Sequence, residues 1–526
     1  MSSIPTGNLI AGTYSSAGAK TQVAVNPSTR QSLPGEFTEA TAQEVEAAVA
    51  AASDAAQVYG ATSGAQRANF LRAIATEIEA LGDTLIERAM QESGLPQGRL
   101  VGERGRTCGQ LRKFADHVEE GSWVNAIIDE AMPDRKPMPR VDIRKVSIAL
   151  GPVAVFTASN FPLAFSTAGG DTSSALAAGC PVIVKAHPSH LGTNALVSSA
   201  IARAIEKAGL PKGVFSSIQG GIAVGQSLVQ HPSIRAVGFT GSFKGGKALF
   251  DLANQRETPI PVFAEMGSIN PMFILSEKLA EDQADLAETL AGSVNLGAGQ
   301  FCTNPGLIVV QQTEDFPTFI SALETAFASQ SAQTMLNEGI YAAFRKNSST
   351  CAKQKGVNAY GAPQASAEPW QATPHFAKVD AKAFIANADL QEEVFGPFTL
   401  VVACKDETEM KAVAQSIQGQ LTASIFGTDA DLKDAGTLAS LLTDRVGRLI
   451  YNMVPTGVEV CAAMHHGGPF PAATFPGTTS VGVDAIQRFV RPVTFQNAPQ
   501  SILPEAIKDG NPLNIWRMVN DKRTQS

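Results

Sequence analysis

The stretch Gly151-Pro-Val-Ala-Val-Phe156-Thr-Ala-Ser-Asn160-Phe-Pro-Leu163 decides the fold. Its apolar run over 153–157 lacks the polar alternation of a strand with one wet face, so it predicts a strand buried on both faces, as in a parallel sheet. Pro162 suits the first turn of a following helical segment. Asn160 then stands where open α/β sheets place ligands, at the carboxyl end of a strand. Taken alone, Asn160 reads more simply as a helix cap.

Outward from this stretch the same pattern recurs. Short apolar runs at 182–185 and 236–240 each precede a glycine- or proline-marked turn and a helical segment. A second series runs through 263–266, 272–275, 307–310, 398–402 and 449–452, which predicts a second α/β unit. Before them, 41–94 is helical in pattern, with Val45, Val49, Ala52 and Ala56 on one stripe and Phe70, Ile74, Ile78, Leu81 and Ile86 on another. A helix over 102–121 would bury Leu111, Phe114, Ala115 and Val118. Two alternating segments, 141–150 and 489–497, read as arm-like strands and suggest a sheet shared between subunits.

The 526 residues exceed one ordinary core. A net charge of −8 with no basic block argues against a nucleic-acid or anionic-membrane partner. No apolar run spans a bilayer and the first residues lack a secretory pattern, so a cytoplasmic protein is expected. The six cysteines, at 108, 180, 302, 351, 404 and 461, are scattered without a CxxC pair. They read as reduced thiols, not a zinc site or disulfide framework.

Further constellations carry possible chemistry. Lys185 leaves a buried strand in Val182-Ile-Val-Lys185-Ala-His-Pro-Ser-His190, placed to meet a ribose or phosphate, although a solvated lysine is the commoner case. Gly238-Phe-Thr-Gly241-Ser242-Phe-Lys-Gly245-Gly246 opens a helix after a strand and could face a pyrophosphate. Its spacing is not GxGxxG, so alone it is weak. Phe263-Ala-Glu265-Met-Gly267-Ser-Ile-Asn270 and Gly297-Ala-Gly299-Gln300-Phe-Cys302-Thr303 supply a carboxylate and a thiol, the groups of covalent acyl chemistry. Glu392-Glu393-Val-Phe395-Gly-Pro397 adds acids and an aromatic before a turn, or is a plain surface loop.

Together, in this order and spacing, these segments resemble the aldehyde dehydrogenase superfamily from about Asn26 to Asn497. The resemblance implies an α/β fold of two Rossmann-like open parallel-sheet domains and a β oligomerisation arm. It divides the chain into a NAD(P)-binding domain (1–124 and 149–266), a catalytic domain (267–480), and an arm and tail (125–148 and 481–526). It implies Cys302 as nucleophile, Asn160 with the Cys302 backbone N–H as oxyanion hole, and Glu265 as the base for deacylation. Cys302 would add to the aldehyde, hydride would pass to the nicotinamide, and Glu265 would activate water to release the acid from a thioester. Lys185, Gly241, Ser242, Gly246, Gly267, Glu393 and Phe395 would hold the cofactor.

Two stretch pairs resemble the α-ketoglutarate semialdehyde dehydrogenase subgroup. They are Glu92-Ser-Gly-Leu-Pro96 with 102–112, and Met464-His-His-Gly-Gly-Pro-Phe470-Pro-Ala472 with Thr478-Thr-Ser-Val-Gly482. That substrate carries a distant carboxylate, for which Arg106 is the expected clamp, with Gln110 one turn on. Arg104 and Arg112 are alternatives, and a surface salt bridge is the bland reading. Phe161, Phe165 and Phe470 would line an apolar wall. Pro188 stands where many NAD-preferring members have a glutamate, and Ser189, His190 and Lys212 could favour a 2′-phosphate. NADP+ is therefore favoured, with NAD+ the alternative. No metal is expected: His187 and His190 lack a third ligand, and His465-His466 is a poor pair. A fatty aldehyde or succinate semialdehyde is the rival substrate, and an inactive binding or structural relative the rival of a different class. Glu265 speaks against a CoA-acylating relative. A homodimer or homotetramer is expected.

Overall fold

The computed structural model describes residues 4–361, 368 and 370–525. Two seven-stranded sheets carry it. In the first, the parallel strands run Val262–Glu265, Ala236–Thr240, Val153–Phe156, Val182–Lys185, Phe215–Ile218, extended by an antiparallel hairpin of Asn8–Ile10 and Thr13–Ser15. The chain leaves Val153–Phe156 toward one side of the sheet and later returns to its other side. The switch point, where open α/β sheets form a ligand crevice, is thus at the end of Val153–Phe156.

The second sheet orders as Asn358–Tyr360, His375–Asp380, Phe398–Cys404, Leu307–Gln311, Met272–Ile274, Gln420–Phe426, Val446–Tyr451, parallel except for its first strand. Both α/β units are therefore present. Among the strands that escape the sequence pattern are Phe215–Ile218, Gln420–Phe426 and His375–Asp380. The first two contain buried polar residues that break the apolar run. Asn194 Nδ2 donates to Ser217 Oγ at 3.0 Å, and Thr422 Oγ1 to Asn270 Oδ1 at 3.0 Å. A buried hydroxyl with a partner is cheap to accommodate, but it disguises the strand.

The expected 41–94 helical region is three helices, Ala42–Gly60, Gly64–Glu79 and Gly82–Ser93. Thr41 and Glu44 close a capping box on the first. Its buried stripe turns through Ala55 and Tyr59, leaving Ala56 partly exposed. Leu81 is only partly buried because the chain breaks there, at the left-handed Gly82 (φ +55°). The helix Gln97–Glu120 starts earlier than its pattern and buries Leu111, Phe114, Ala115 and Val118 as expected.

The two arm-like segments pair with each other, Val490–Gln496 antiparallel to Ile143–Ala149, within a five-stranded sheet completed by Ile127–Asp129, Arg517–Val519 and Lys522–Thr524. Val490–Gln496 is its edge strand.

Part of the Glu92-Ser-Gly-Leu-Pro96 motif is structural. The Glu92 carboxylate is fully buried and accepts the Gly192 and Thr193 backbone N–H groups at 2.7 and 2.8 Å and the Thr193 hydroxyl at 2.7 Å. It thereby satisfies the start of the helix Leu191–Lys207, next to the Lys185 loop, and pairs with buried Arg88 at 2.9 Å. Glu92→Ala leaves the Arg88 charge and two N–H groups unpaired. Urea unfolding should show a loss of about 3–5 kcal/mol, against under ~0.5 kcal/mol for the exposed Glu288→Ala.

Candidate active site

The site lies between the carboxyl edge of the first sheet and the amino edge of the second. Glu265 ends the strand Val262–Glu265 and is 4% exposed. Cys302 lies in the turn that leads into Leu307–Gln311 and is partly buried. Gly297, Ala298 and Gly299 take φ +58°, +56° and +64°, a left-handed run that reverses the chain just before the thiol. A side chain on Gly299 would strike the Gly396 carbonyl carbon at 2.2 Å, so the thiol turn rests directly on the loop of Glu393 and Phe395. Asn304 Nδ2 donates to the Gly396 carbonyl at 3.2 Å and Asn270 Nδ2 to the Cys302 carbonyl at 2.8 Å. Asn270 is fully buried and fastens the turn.

Asn160 Nδ2 donates to the Gln300 carbonyl at 2.9 Å, which brings it beside the same turn and leaves its second N–H for the cleft. Arg99 and Glu103, both on Gln97–Glu120, hold the Asn160 loop. Arg99 donates to the Asn160 carbonyl at 3.1 Å and lies over the Phe161 and Phe301 rings at 4.6 and 4.5 Å. Glu103 accepts the Leu163 and Ala164 N–H groups at 2.8 and 3.0 Å. Sequence reading missed both. Their i, i+4 spacing across the 102–112 motif was the available signal.

The largest addition is His466. Its Nε2 lies 3.4 Å from Cys302 Sγ and 3.0 Å from Glu265 Oε2. Ser480 Oγ donates to the same Glu265 oxygen at 3.1 Å. The segment that supplies His466 is stitched down on both sides: Met266 N–H donates to the Ala472 carbonyl at 2.8 Å, and Ser480 N–H to the His466 carbonyl at 2.8 Å. The stretches 464–472 and 478–482 thus assemble around one carboxylate. The adjacent histidines do not face one point, as their spacing predicts, but one of them does meet chemistry that local spacing does not show. His466 alone turns inward, and the fold, not local spacing, brings it Cys302 and Glu265.

Burial works against an ionised Glu265, but His466 beside it and the hydrogen bonds from His466 and Ser480 hold its carboxyl below the usual range. Burial, and then the Glu265 carboxylate, push the Cys302 thiol well above its ordinary value. The resting pair is therefore carboxylate and thiol, with the His466 ring in reach of both.

The residues expected to hold a cofactor lie around the switch point. Lys185 closes the strand Val182–Lys185, and burial pushes its ammonium down to about 8. Among the described residues no carboxylate lies within ion-pair distance of it. Exposed Ser242 caps the helix Phe243–Asn254 through the Gly245 N–H at 3.2 Å. Gly241 lies beside it, its N–H donating to the Glu265 carbonyl at 3.1 Å. Gly246 and Gly267 are close-packed: an added Cβ would meet Met266 at 2.7 Å and the Glu393 carboxylate at 2.5 Å. Burial raises Glu393 to about 7, and Phe395 follows on the same partly buried loop. An unpaired, desolvated cation, an open helix start and a nearby carboxylate fit a dinucleotide with phosphates and ribose hydroxyls.

Other expectations shift. His190 is buried with Nε2 2.7 Å from the Ala158 carbonyl, so it braces the strand end instead of meeting a phosphate. Ser189 accepts from Asn337 Nδ2 at 2.9 Å. Lys212 precedes the strand Phe215–Ile218, at the opposite edge of the parallel sheet from Lys185. Gln110 is buried and donates to Ser173 Oγ at 3.2 Å, tying two helices together. Phe161 and Phe165 form an edge-to-face pair at 5.2 Å, and Phe165 lies 6.1 Å from His466. Phe470 is instead half-exposed against Phe243 at 5.9 Å, at the start of the cofactor-side helix.

Arg106 packs over Phe165 at 5.1 Å, with Nη1 buried and unpaired. Arg104 is engaged by the Gly82 carbonyl at 2.9 Å and Arg112 by Glu79 at 2.6 Å. Arg448, unforeseen in the sequence, is, like Arg106, near enough to Cys302 to sense a charge formed there, and it holds the Pro455 and Gly457 carbonyls at 3.0 and 3.1 Å.

A thiol held up by burial and a neighbouring carboxylate should alkylate slowly in the free protein. Iodoacetamide labelling of Cys302, followed by peptide mass spectrometry, should keep accelerating with pH beyond the ordinary thiol value of 9.0. A plateau at neutral pH would contradict this.

The chain matches the Aldehyde dehydrogenase family over residues 14–470. It is 49% identical to "Alpha-ketoglutaric semialdehyde dehydrogenase 2" of Azospirillum brasilense, covering 98% of this chain and 99% of that protein. It is 47% identical to "Alpha-ketoglutaric semialdehyde dehydrogenase" of Acinetobacter baylyi, covering 97% of each. Among solved structures, betaine aldehyde dehydrogenase from Staphylococcus aureus superposes with a TM-score of 0.80 at 21% identity, covering 95% and 97% of the two chains. A 3,6-anhydro-L-galactose dehydrogenase in complex with NAP does so at 0.78 and 22%, covering 93% and 99%. This chain belongs to the aldehyde dehydrogenase family, whose members oxidise aldehydes with NAD(P) through a cysteine.

Proposed function

We propose that the aldehyde is α-ketoglutarate semialdehyde, oxidised to α-ketoglutarate, with Cys302 as nucleophile. One observation carries the substrate reading: Arg106 presents a buried, unpaired guanidinium nitrogen beside Phe165 on the wall that reaches His466. Its Nη2 reaches only the Val458 carbonyl, at 3.4 Å, and among the described residues no carboxylate lies within ion-pair distance, so the buried charge is incompletely satisfied and its planar fork suits a ligand carboxylate. The near-half identity to two proteins named for that aldehyde supports the same reading.

Cys302 gives up its proton toward His466 or Glu265 as sulfur adds to the aldehyde carbon. The oxyanion falls to the free Asn160 amide hydrogen and the Cys302 backbone N–H, where one such donor contributes about 3–4 kcal/mol. When bound, NAD(P)+ accepts the hydride that leaves this carbon. Glu265, ionised and in line with His466, then takes a proton from water that hydrolyses the thioester. Lys185, Ser242, Gly241, Gly246, Gly267, Glu393 and Phe395 hold the cofactor. NADP+ is favoured over NAD+, because Pro188 leaves no carboxylate to repel a 2′-phosphate and Lys185 has no ion-pair partner. Ser189 can still reach that phosphate by releasing Asn337.

The rest of the reading is coarser. The division into a cofactor domain (1–124 and 149–266), a catalytic domain (267–480) and an arm (125–148 and 481–526) follows the three sheets. The edge strand Val490–Gln496 offers unpaired backbone groups, which suits pairing with a second copy in a homodimer or homotetramer. Six free cysteines, and no described helix long and apolar enough to cross a membrane, favour the cytoplasm.

Steady-state kinetics test the substrate. α-Ketoglutarate semialdehyde should exceed succinate semialdehyde and hexanal in kcat/KM, with NADP+ ahead of NAD+. Arg106→Ala should raise KM for the keto-acid aldehyde roughly 10–100-fold, as expected for one charged hydrogen bond, and leave hexanal nearly unchanged. An equal rise for both would reject the clamp, and a selective rise in Arg448→Ala alone would move it to Arg448. Cys302→Ala should abolish product formation.

A further inference from the structure

Cys302, His466 and Glu265 are usually read as a proton-transfer set, but their donor atoms also form a ligand set. One ligand atom from each lies within 4.8 Å of the others. In a tetrahedral zinc site, bonds of about 2.3 Å to sulfur and 2.0–2.1 Å to nitrogen and oxygen place S and N about 3.6 Å apart, and N and O about 3.4 Å apart. The protein holds these pairs at 3.4 and 3.0 Å. These two pairs need only a few tenths of an ångström of outward motion to seat an ion, and the third, sulfur to carboxylate oxygen, lies within 4.8 Å. Glu265 Oε1 is buried and has no hydrogen-bond partner among the described residues, so the carboxylate has unused donor capacity. A thiolate and a carboxylate also neutralise a divalent cation, which offsets the repulsion from Arg106 and Arg448.

We propose that the Cys302 sulfur, His466 Nε2 and a Glu265 oxygen form a three-ligand zinc site whose occupancy stops turnover. Binding breaks the Cys302 S–H bond, forms Zn–S and releases one proton to solvent, with no change of oxidation state. The fourth position faces the cleft and takes water. The bound ion holds the sulfur pair that would attack the aldehyde and the carboxylate that would activate water. Both halves of the reaction are therefore blocked together. The soft, mixed S, N, O set selects zinc over magnesium or calcium, which prefer oxygen ligands alone.

The test uses the full-length protein, stripped with a chelator and measured without cofactor or aldehyde, so its result does not depend on which substrate is oxidised. Competition with a chromophoric chelator should give one Zn2+ per chain. Zn2+ should protect Cys302 from iodoacetamide and EDTA should restore labelling. Co2+ in its place should show sulfur-to-metal charge-transfer absorption in the near ultraviolet. Cys302→Ser should remove that band, and His466→Asn and Glu265→Gln, each with unchanged circular dichroism, should weaken zinc binding at least ~10–100-fold. Cys461→Ser, at a partly buried thiol outside the set, should bind as the parent does. Stoichiometric binding that survives both Cys302→Ser and His466→Asn would place the ion elsewhere, and absence of binding at micromolar Zn2+ would reject the site; either overturns the proposal.

Discussion

The Glu265 carboxylate is the constraint from which the active site is hung. It sits at the end of a buried strand, so it must be hydrogen-bonded to remain charged there. The partners come from far along the chain. His466 and Ser480 reach it from a segment some two hundred residues later, and that segment is pinned to the same strand through Met266 and Ala472. Satisfying one charge therefore also fixes the loop that supplies the imidazole beside Cys302. The backbone of the same residue takes the Gly241 N–H, which places the opening of the cofactor helix. A single buried acid thus coordinates the base, the thiol's neighbour and the cofactor loop.

Opposite it, the helix Gln97–Glu120 does the corresponding work for the Asn160 loop. Arg99 wedges between Phe161 and Phe301 while holding the Asn160 carbonyl, and Glu103 takes the next two free N–H groups. One turn on, the same helix presents Arg106 toward Phe165. The support of the Asn160 loop and the placing of Arg106 thus share one rigid element, which keeps the geometry of the polar groups coupled. The close contact of Gly299 with the Gly396 backbone completes the frame, because it leaves the thiol turn and the cofactor loop no room to move independently.

Much of this was legible from residue order. Strands without polar alternation announced two parallel sheets, and their intervals placed Asn160, Lys185, Ser242, Glu265 and Cys302 around the two facing edges. The reading failed where buried polar residues interrupt a strand, as at Ser216, Ser217, Thr422 and Ser424. It gave no role to charged side chains that serve the backbone: Glu92 and Glu103 entered only within motifs, and Arg99 not at all. His190 and Lys212 were placed near the cofactor by proximity in sequence. One is turned inward to Ala158, and the other lies at the far edge of the sheet.

What the sequence by itself determined was the family, the two-sheet α/β architecture and the candidates for the reacting groups, because apolar period, turn residues and motif order are local quantities carried along the chain. What only the tertiary structure decided was the company those groups keep. That His466 and not His465 stands between Cys302 and Glu265 depends on the His466 N–H donating to the Thr479 hydroxyl and on the Ser480 and Met266 N–H groups donating to the His466 and Ala472 carbonyls. That Arg106 rather than Arg104 or Arg112 has a buried nitrogen without a hydrogen-bond partner among the described residues depends on which carbonyls and carboxylates the neighbouring helices offer. Such pairings follow from satisfying buried polar groups across long separations, and no local pattern encodes them.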